Sequence, residues 1–238
     1  AVGGMTGSGH RRFLATFYAG RFPGSFARGA DFQVDEITGD RRTNGSLASL
    51  AGLEEALDSG DAAHLDLAIE RILMAHALIA AHGGMPLIYM GDEIGLTNDP
   101  SYRDDPALAA DGRWMQRPQM PWDIVAQLGD DSAASRLHAG LRAILRARKS
   151  VPQLAGDVPT RVLPLNHRAL YGVARPHGDE TLTALFNLTE HPQVLYAPDA
   201  GLDPARPLTD RLSGRPAEVH AGRIDLPPYG RLWLTAAP

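Results

Sequence analysis

The 238-residue chain contains no cysteine. Disulfides, thiolate metal ligands and cysteine nucleophiles are therefore excluded. Lysine is nearly missing too. Lys149 is the single one, so 22 of the 23 basic residues are arginine. Arginine suits bidentate carboxylate pairing, although a GC-rich genome explains the bias more simply. No apolar run approaches the roughly 20 residues of a membrane-spanning helix. No block of like charge occurs, and the net charge is -5. That balance argues against nucleic acid or an anionic membrane as partner. AVGGMTGSGH, at the start, lacks the basic and apolar regions of a signal peptide. It also lacks an initiator Met, which suits a fragment or a processed end. A Gly-rich phosphate loop and a nucleophile elbow are likewise missing.

What is there reads as a globular chain, 44% hydrophobic and 21% charged. SGHRRFLATFYAGRF, from Ser8 to Phe22, reads as a short amphipathic helix with Phe13 and Phe17 on one face. Pro23 to Ser46 has no clear period and reads as an ordered loop. Asp61 to His82 is the clearest helix, with Leu65, Ala68, Ile69, Ile72, Ala75, His76 and Ile79 at helical spacing. Asp61 is its expected N-cap and Gly83-Gly84 its stop. The run Pro86-Leu87-Ile88-Tyr89-Met90 then reads as a parallel strand buried on both faces. A long polar loop leads to a second helix, Asp131 to Arg148, whose expected stripe is Leu137, Leu141, Ile144 and Leu145. Val151-Pro152 ends it. Beyond that point RVLPL, ALYGVAR, TLTALFNL, QVLYA, RIDLP and RLWLT alternate with turns, the pattern of an all-β sandwich.

Several residue groups invite a chemical reading. Asp92 and Glu93 follow the apolar run as an acidic pair. Neighbours on a strand point to opposite faces, so a structural role, binding loop backbone, is preferred over general acid-base work. His64, His76 and His82 have no metal-binding spacing and read as core or surface histidines. Asp99, Asp104 and Asp105 lack EF-hand spacing and read as a solvated loop rather than a calcium site. Asn44-Gly45-Ser46 and Asn187-Leu188-Thr189 match glycosylation sequons, a pattern that often arises by chance. Trp114 reads as packing under its loop, with sugar stacking the alternative.

GGMPLIYMGDEIG resembles the last barrel strand of the α-amylase superfamily, glycoside hydrolase family 13. The stretches RFPGSFARG (21–29), TGDRR (38–42) and NDPSYRDDPALAADGRWMQRP (98–118) narrow the resemblance to its amylosucrase and sucrose hydrolase group, and it covers essentially the whole chain. It implies an α/β fold: the C-terminal part of a (β/α)8 barrel, then a β-sandwich. On that view residues 1–60 are the insertion after strand seven, 61–151 the end of the barrel and 152–238 the sandwich.

The resemblance also implies an activity. It is glucosyl transfer from sucrose to an α-glucan with release of fructose, by a retaining mechanism that needs two carboxyl groups about 5–5.5 Å apart. A sucrose hydrolase and a non-catalytic glucan-binding module are the alternatives. The catalytic carboxylates of this group lie upstream of the matching region, so no catalytic residue is assigned here. The expected partner is the N-terminal part of the same enzyme, and no cofactor or metal is implied. Alone, such a segment is expected to be inactive or to aggregate, because an open barrel exposes its edges. Three substrate-binding residues follow. Arg113 matches an arginine that closes the glucose pocket by pairing with an Asp from the first half of the barrel. Arg42 matches a contact on the fructosyl or acceptor side, with Arg41 one register away. Arg11 matches the outer glucan path. Each has a surface arginine as its plain alternative.

Overall fold

A computed structural model describes residues 4–237. It forms two compact units, one of Ala1–Ile69 with Ile88–Leu137 and the other of Glu70–Leu87 with His138–Pro238. No helix among the described residues is long and apolar enough to cross a membrane.

Helix α1 spans Gly7–Tyr18, shorter at its end than the pattern predicts. Thr6 caps it, its side chain accepting the Gly9 N–H. Phe13 and Phe17 share a face as expected, with centroids 5.9 Å apart, and Phe22 meets Phe13 edge-on at 5.0 Å. The following segment is not loop alone. It contains an antiparallel hairpin of β1 (Ala30–Phe32) and β2 (Arg42–Asn44). Two three-residue strands are too short for any periodicity to reveal. Two short helices follow, α2 (Leu47–Leu50) and α3 (Leu53–Ser59).

Helix α4 runs from Ala62 to Ala81. Asp61 caps it, its Oδ1 accepting the N–H groups of Ala63 and His64. Ala68, Ile69, Ile72 and His76 are buried as the spacing requires. Ile79 keeps the spacing yet is 43% exposed, because nothing among the described residues covers the stripe there. His76 is a core histidine, its Nδ1 meeting the Ile72 carbonyl at 2.9 Å.

The expected strand at Pro86–Met90 does not form. No ladder pairs it among the described residues, and Leu87 is 83% exposed rather than buried. A parallel strand is defined by its neighbours, and these residues have none beside them. The acidic pair that follows sits on a 3-10 turn, Asp92–Ile94, not on a strand. At Gly95 the chain turns with φ +68°, and an added Cβ would lie 2.5 Å from Leu137 and 2.7 Å from Leu53. Only glycine fits there.

The polar segment holds two further 3-10 turns, Pro100–Asp104 and Gly112–Gln116, and helix α5 (Trp122–Ala126). Helix α6 is Ala133–Ser150. Ser132 supplies its cap, accepting from the Ser135 N–H. Leu137, Leu141 and Ile144 are buried, whereas Leu145 is 37% exposed. About 100° per residue puts Leu145 at the rim of the stripe. Gly140 lets Leu73 of α4 approach α6 closely, since a Cβ would stand 2.6 Å from it.

All six β-like runs of the last third are strands: β3 (Arg161–Val162), β4 (Leu170–His177), β5 (Glu180–Asn187), β6 (Gln193–Tyr196), β9 (Arg223–Leu226) and β10 (Arg231–Ala236). Two others were not foreseen, β7 (Leu208–Asp210) and β8 (Arg215–Pro216). The order β3-β4-β5-β10-β7-β8 makes one antiparallel sheet, and β6-β9 a second. Leu170, Leu185, Leu208 and Leu234 of the large sheet share a core with Leu195, Ile224 and Leu226 of the small one. This is sandwich packing, side chains of two inner faces filling one layer.

Two arginines finish α4. Arg148 donates to the carbonyls of Ala80, His82 and Gly84. Arg175, fully buried on β4, donates to Ala81 O at 3.3 Å, Ala155 O at 2.6 Å and Thr160 Oγ1 at 2.9 Å. The last carbonyls of a helix have no partner within it and carry its negative pole, so guanidinium groups suit them. Burial pushes the pKa of both arginines down.

Candidate functional site

The stretches that carry the family resemblance are far apart in sequence and are tied together by two asparagines. Asn98 donates from Nδ2 to the Arg28 carbonyl. Its Oδ1 accepts the Ser46 N–H at 2.8 Å, and its own N–H reaches Ser49 Oγ at 2.8 Å. Asn44, buried at the end of β2, donates to the carbonyl of Gly112. The hairpin, the segment before it and the Arg113 loop are thus held as one frame. Gly29 allows this closeness, because a Cβ there would stand 2.4 Å from the Tyr18 carbonyl.

Arg113 lies at the start of the 3-10 turn Gly112–Gln116, exposed. The Asp111 side chain caps that turn by accepting the Arg113 N–H at 3.0 Å. The same carboxylate takes the guanidinium in a fork, Nη2 to Oδ2 at 2.7 Å and Nε to Oδ1 at 2.8 Å. The Arg113 hydrogen bond holds the Asp111 carboxyl down at about 2. The resemblance implies an Asp from elsewhere as partner for this arginine. The described chain supplies one two residues away instead.

Arg42 and Arg11 come together. Both line a cavity of about 360 Å³ between α1 and the hairpin, with Arg12, Gln33, Asp40 and Arg41. Arg11 lies 3.6 Å from Asp40. Arg41 reaches Asp31 at 3.2 Å, and Arg21 grips the same carboxylate at 2.5 and 2.7 Å. The Arg21 hydrogen bonds hold Asp31 below the usual carboxylate range. The loop between the strands is braced by Asp35, which accepts the N–H groups of Ile37 and Thr38 at 2.9 Å. Those backbone donors, Thr38 first, depress its pKa. Gln33 takes φ +49° at the cavity wall. Non-glycine residues seldom adopt that conformation, and such strain gathers at functional sites.

Arg113 does not line this cavity. The structure brings Arg11 and Arg42 to one cavity and leaves Arg113 outside it, on a loop tied to the hairpin by Asn44 and Gly112. The sequence reading named the three arginines separately; it did not single out Arg12, one helix position from Arg11, or Asp31, which orients Arg41. Asp111 carried a legible signal, an acidic residue just ahead of a short helical turn.

The remaining candidates have local roles. Glu93 accepts the Gly91 N–H at 2.8 Å, the loop-bracing part expected of the acidic pair. Asp99 and Asp105 accept backbone N–H groups of Ser101 and Ala107. No cluster of three metal-ligating side chains occurs among the described residues. Both sequon asparagines are buried. Asn44 is committed to Gly112, and Asn187 Nδ2 to the carbonyls of His191 at 2.7 Å and Pro227 at 2.8 Å. In this fold neither offers its amide to a glycosylating enzyme. Arg117 lies over the Trp114 ring, 5.5 Å from its centroid, and Trp114 is partly buried under its loop.

Solved structures share this fold. AmyP bound to maltotriose matches 81% of this chain and 40% of its own, with 18% identity and a TM-score of 0.55. The α-amylase of Geobacillus thermoleovorans, complexed with acarbose, matches 82% and 38%, with 19% identity and a TM-score of 0.54. The chain thus shares its fold with part of each of these proteins. Among curated proteins, the glucosylglycerate phosphorylase of Allomeiothermus silvanus is 25% identical over 131 residues, 55% of this chain and 23% of the relative. The chain spans under a quarter of that relative's length. No family model matches the chain.

Proposed function

We propose that these residues are the C-terminal section of a sucrose-acting, retaining glucosyltransferase of the amylosucrase type. The observation that carries the reading is the frame built by Asn44 and Asn98. It gathers the three stretches that resemble this group, 21–29, 38–42 and 98–118, into one compact unit. An amylase-type fold supports the class, and the upstream part of the enzyme would supply the catalytic carboxylates. In this reading residues 1–60 are the insertion, 61–151 the barrel end and 152–238 the sandwich.

Arg42 and Arg11 then face the fructosyl or acceptor side, and Arg113 closes the glucose pocket. For Arg113 to do so, its guanidinium must leave Asp111 or share it with the substrate. A guanidinium that shares its carboxylate partner presents donors and acceptors side by side, which sugar hydroxyls require. The acceptor, glucan or water, separates transferase from hydrolase.

The test uses the intact protein with sucrose alone. Fructose released well above glucose, with glucan appearing, is the expected result. Equal glucose and fructose would move the assignment to a sucrose hydrolase. No fructose at all would sink the sucrose reading.

A further inference from the structure

The cavity between α1 and the hairpin is lined by four arginines, 11, 12, 41 and 42, against two aspartates, 35 and 40. That leaves an excess of two positive charges. The four arginines are not equivalent. Arg11 is engaged with Asp40 and Arg41 with Asp31. Among the described residues, the side chains of Arg12 and Arg42 have neither a hydrogen bond nor an ion pair. Both are exposed at the cavity.

A neutral sugar needs donors and acceptors together, because each hydroxyl is both. Arg12 and Arg42 supply donors only, and full charge with them. Two planar forks lining one cavity, neither with an acidic partner among the described residues, match an oxyanion, which accepts bidentate contacts on several edges. A phosphate dianion would balance the excess charge of the lining.

We propose that this cavity is a phosphate-binding site, with Arg12 and Arg42 as direct ligands. Arg11 and Arg41 flank it, held in place by Asp40 and Asp31. The ligand is inorganic phosphate or the phosphate group of a sugar ester. The inference does not rest on the sucrose reading, because it concerns binding of an anion rather than cleavage of a glycoside, and it gives Arg42 an anion in place of the fructosyl or acceptor contact proposed above.

Isothermal titration of the intact protein in phosphate-free chloride buffer tests it, with inorganic phosphate, glucose 6-phosphate and acetate as separate titrants. Saturable binding of at least one phosphate is expected, weakening with added salt. Arg12→Gln and Arg42→Gln should each weaken it about tenfold, and the double variant should abolish it. Tighter binding of the ester than of free phosphate identifies an attached ligand, and the reverse order a free one. Either order supports the site. No binding of either phosphate overturns the proposal. So does binding unchanged in both glutamine variants, or acetate binding as tightly as phosphate. Circular dichroism confirms that the variants fold, as exposed positions should. Phosphate binding without sucrose cleavage would remove the sucrose reading and leave this one standing.

Discussion

Arg175→Met is the most informative perturbation of the fold. The methionine keeps the apolar stem and removes a fully buried guanidinium. Three hydrogen bonds go with it. Bonds from a charged donor contribute about 1.5–3 kcal/mol each before offsets. The offset is large, since a buried ion loses several kcal/mol of hydration, and the buried Nε makes no hydrogen bond among the described residues. What remains unpaired decides the balance. The Ala155 carbonyl keeps the Val158 N–H, and Thr160 Oγ1 keeps the Gly83 N–H. Ala81 O, at the end of α4, is left without a donor among the described residues. We expect a net local loss of about 2 kcal/mol, one lost carbonyl partner plus weakened tethering. That corresponds to roughly 30-fold faster amide exchange by local opening. Hydrogen exchange with mass spectrometry on peptides covering residues 76–84 reads it directly. Exchange that is unchanged or slower in the variant refutes the reasoning. It would show that desolvation outweighs the three bonds, as it does for some buried ion pairs.

Two further outcomes are expected. Gly95→Ala should destabilise the protein by about 3 kcal/mol, combining a left-handed alanine with overpacking against Leu53 and Leu137. An unchanged melting temperature in the intact protein would contradict that. The Asp111–Arg113 fork should respond to acid. Asp111 has its carboxyl depressed from 3.8 to about 2 when folded, so its contribution is complete above the unfolded value and is lost as pH falls toward 2. The nitrogen shift of Arg113 Nε, followed from pH 6 to pH 2, should titrate near 2, and a midpoint near 3.8 would show that the fork does not persist in solution.

How much of this was legible depended on the range of the interaction. The α4 boundaries could be read from Asp61 and Gly83-Gly84 because capping is local. Six sandwich strands could be read because alternation and turn residues are local too. β7 and β8 escaped, being two or three residues long with a proline in one. The apolar run Pro86–Met90 misled for the opposite reason. Its composition states that it suits burial on both faces, but a strand exists only beside another. At the candidate site, Arg11 and Arg42 could be named but not their meeting, which depends on how α1 packs against the hairpin. The asparagines that join the frame act across 52 and 68 residues. A polar side chain gives no sign in sequence of a backbone partner so distant.

The arginine seal on α4 also sets an order of events during synthesis. Arg148 reaches back 68 residues to the Ala80 carbonyl, and Arg175 reaches back 94 to Ala81. At about 5–20 residues per second, a translating ribosome needs on the order of 5–20 s to add the second length. The helix can coil within microseconds of emerging. Arg148 can close on Ala80, His82 and Gly84 once α6 has emerged, but the Ala81 carbonyl lacks its arginine donor until β4 has left the tunnel. The last turn of α4 is therefore a clock for the nascent chain: its protection reports that β4 has arrived.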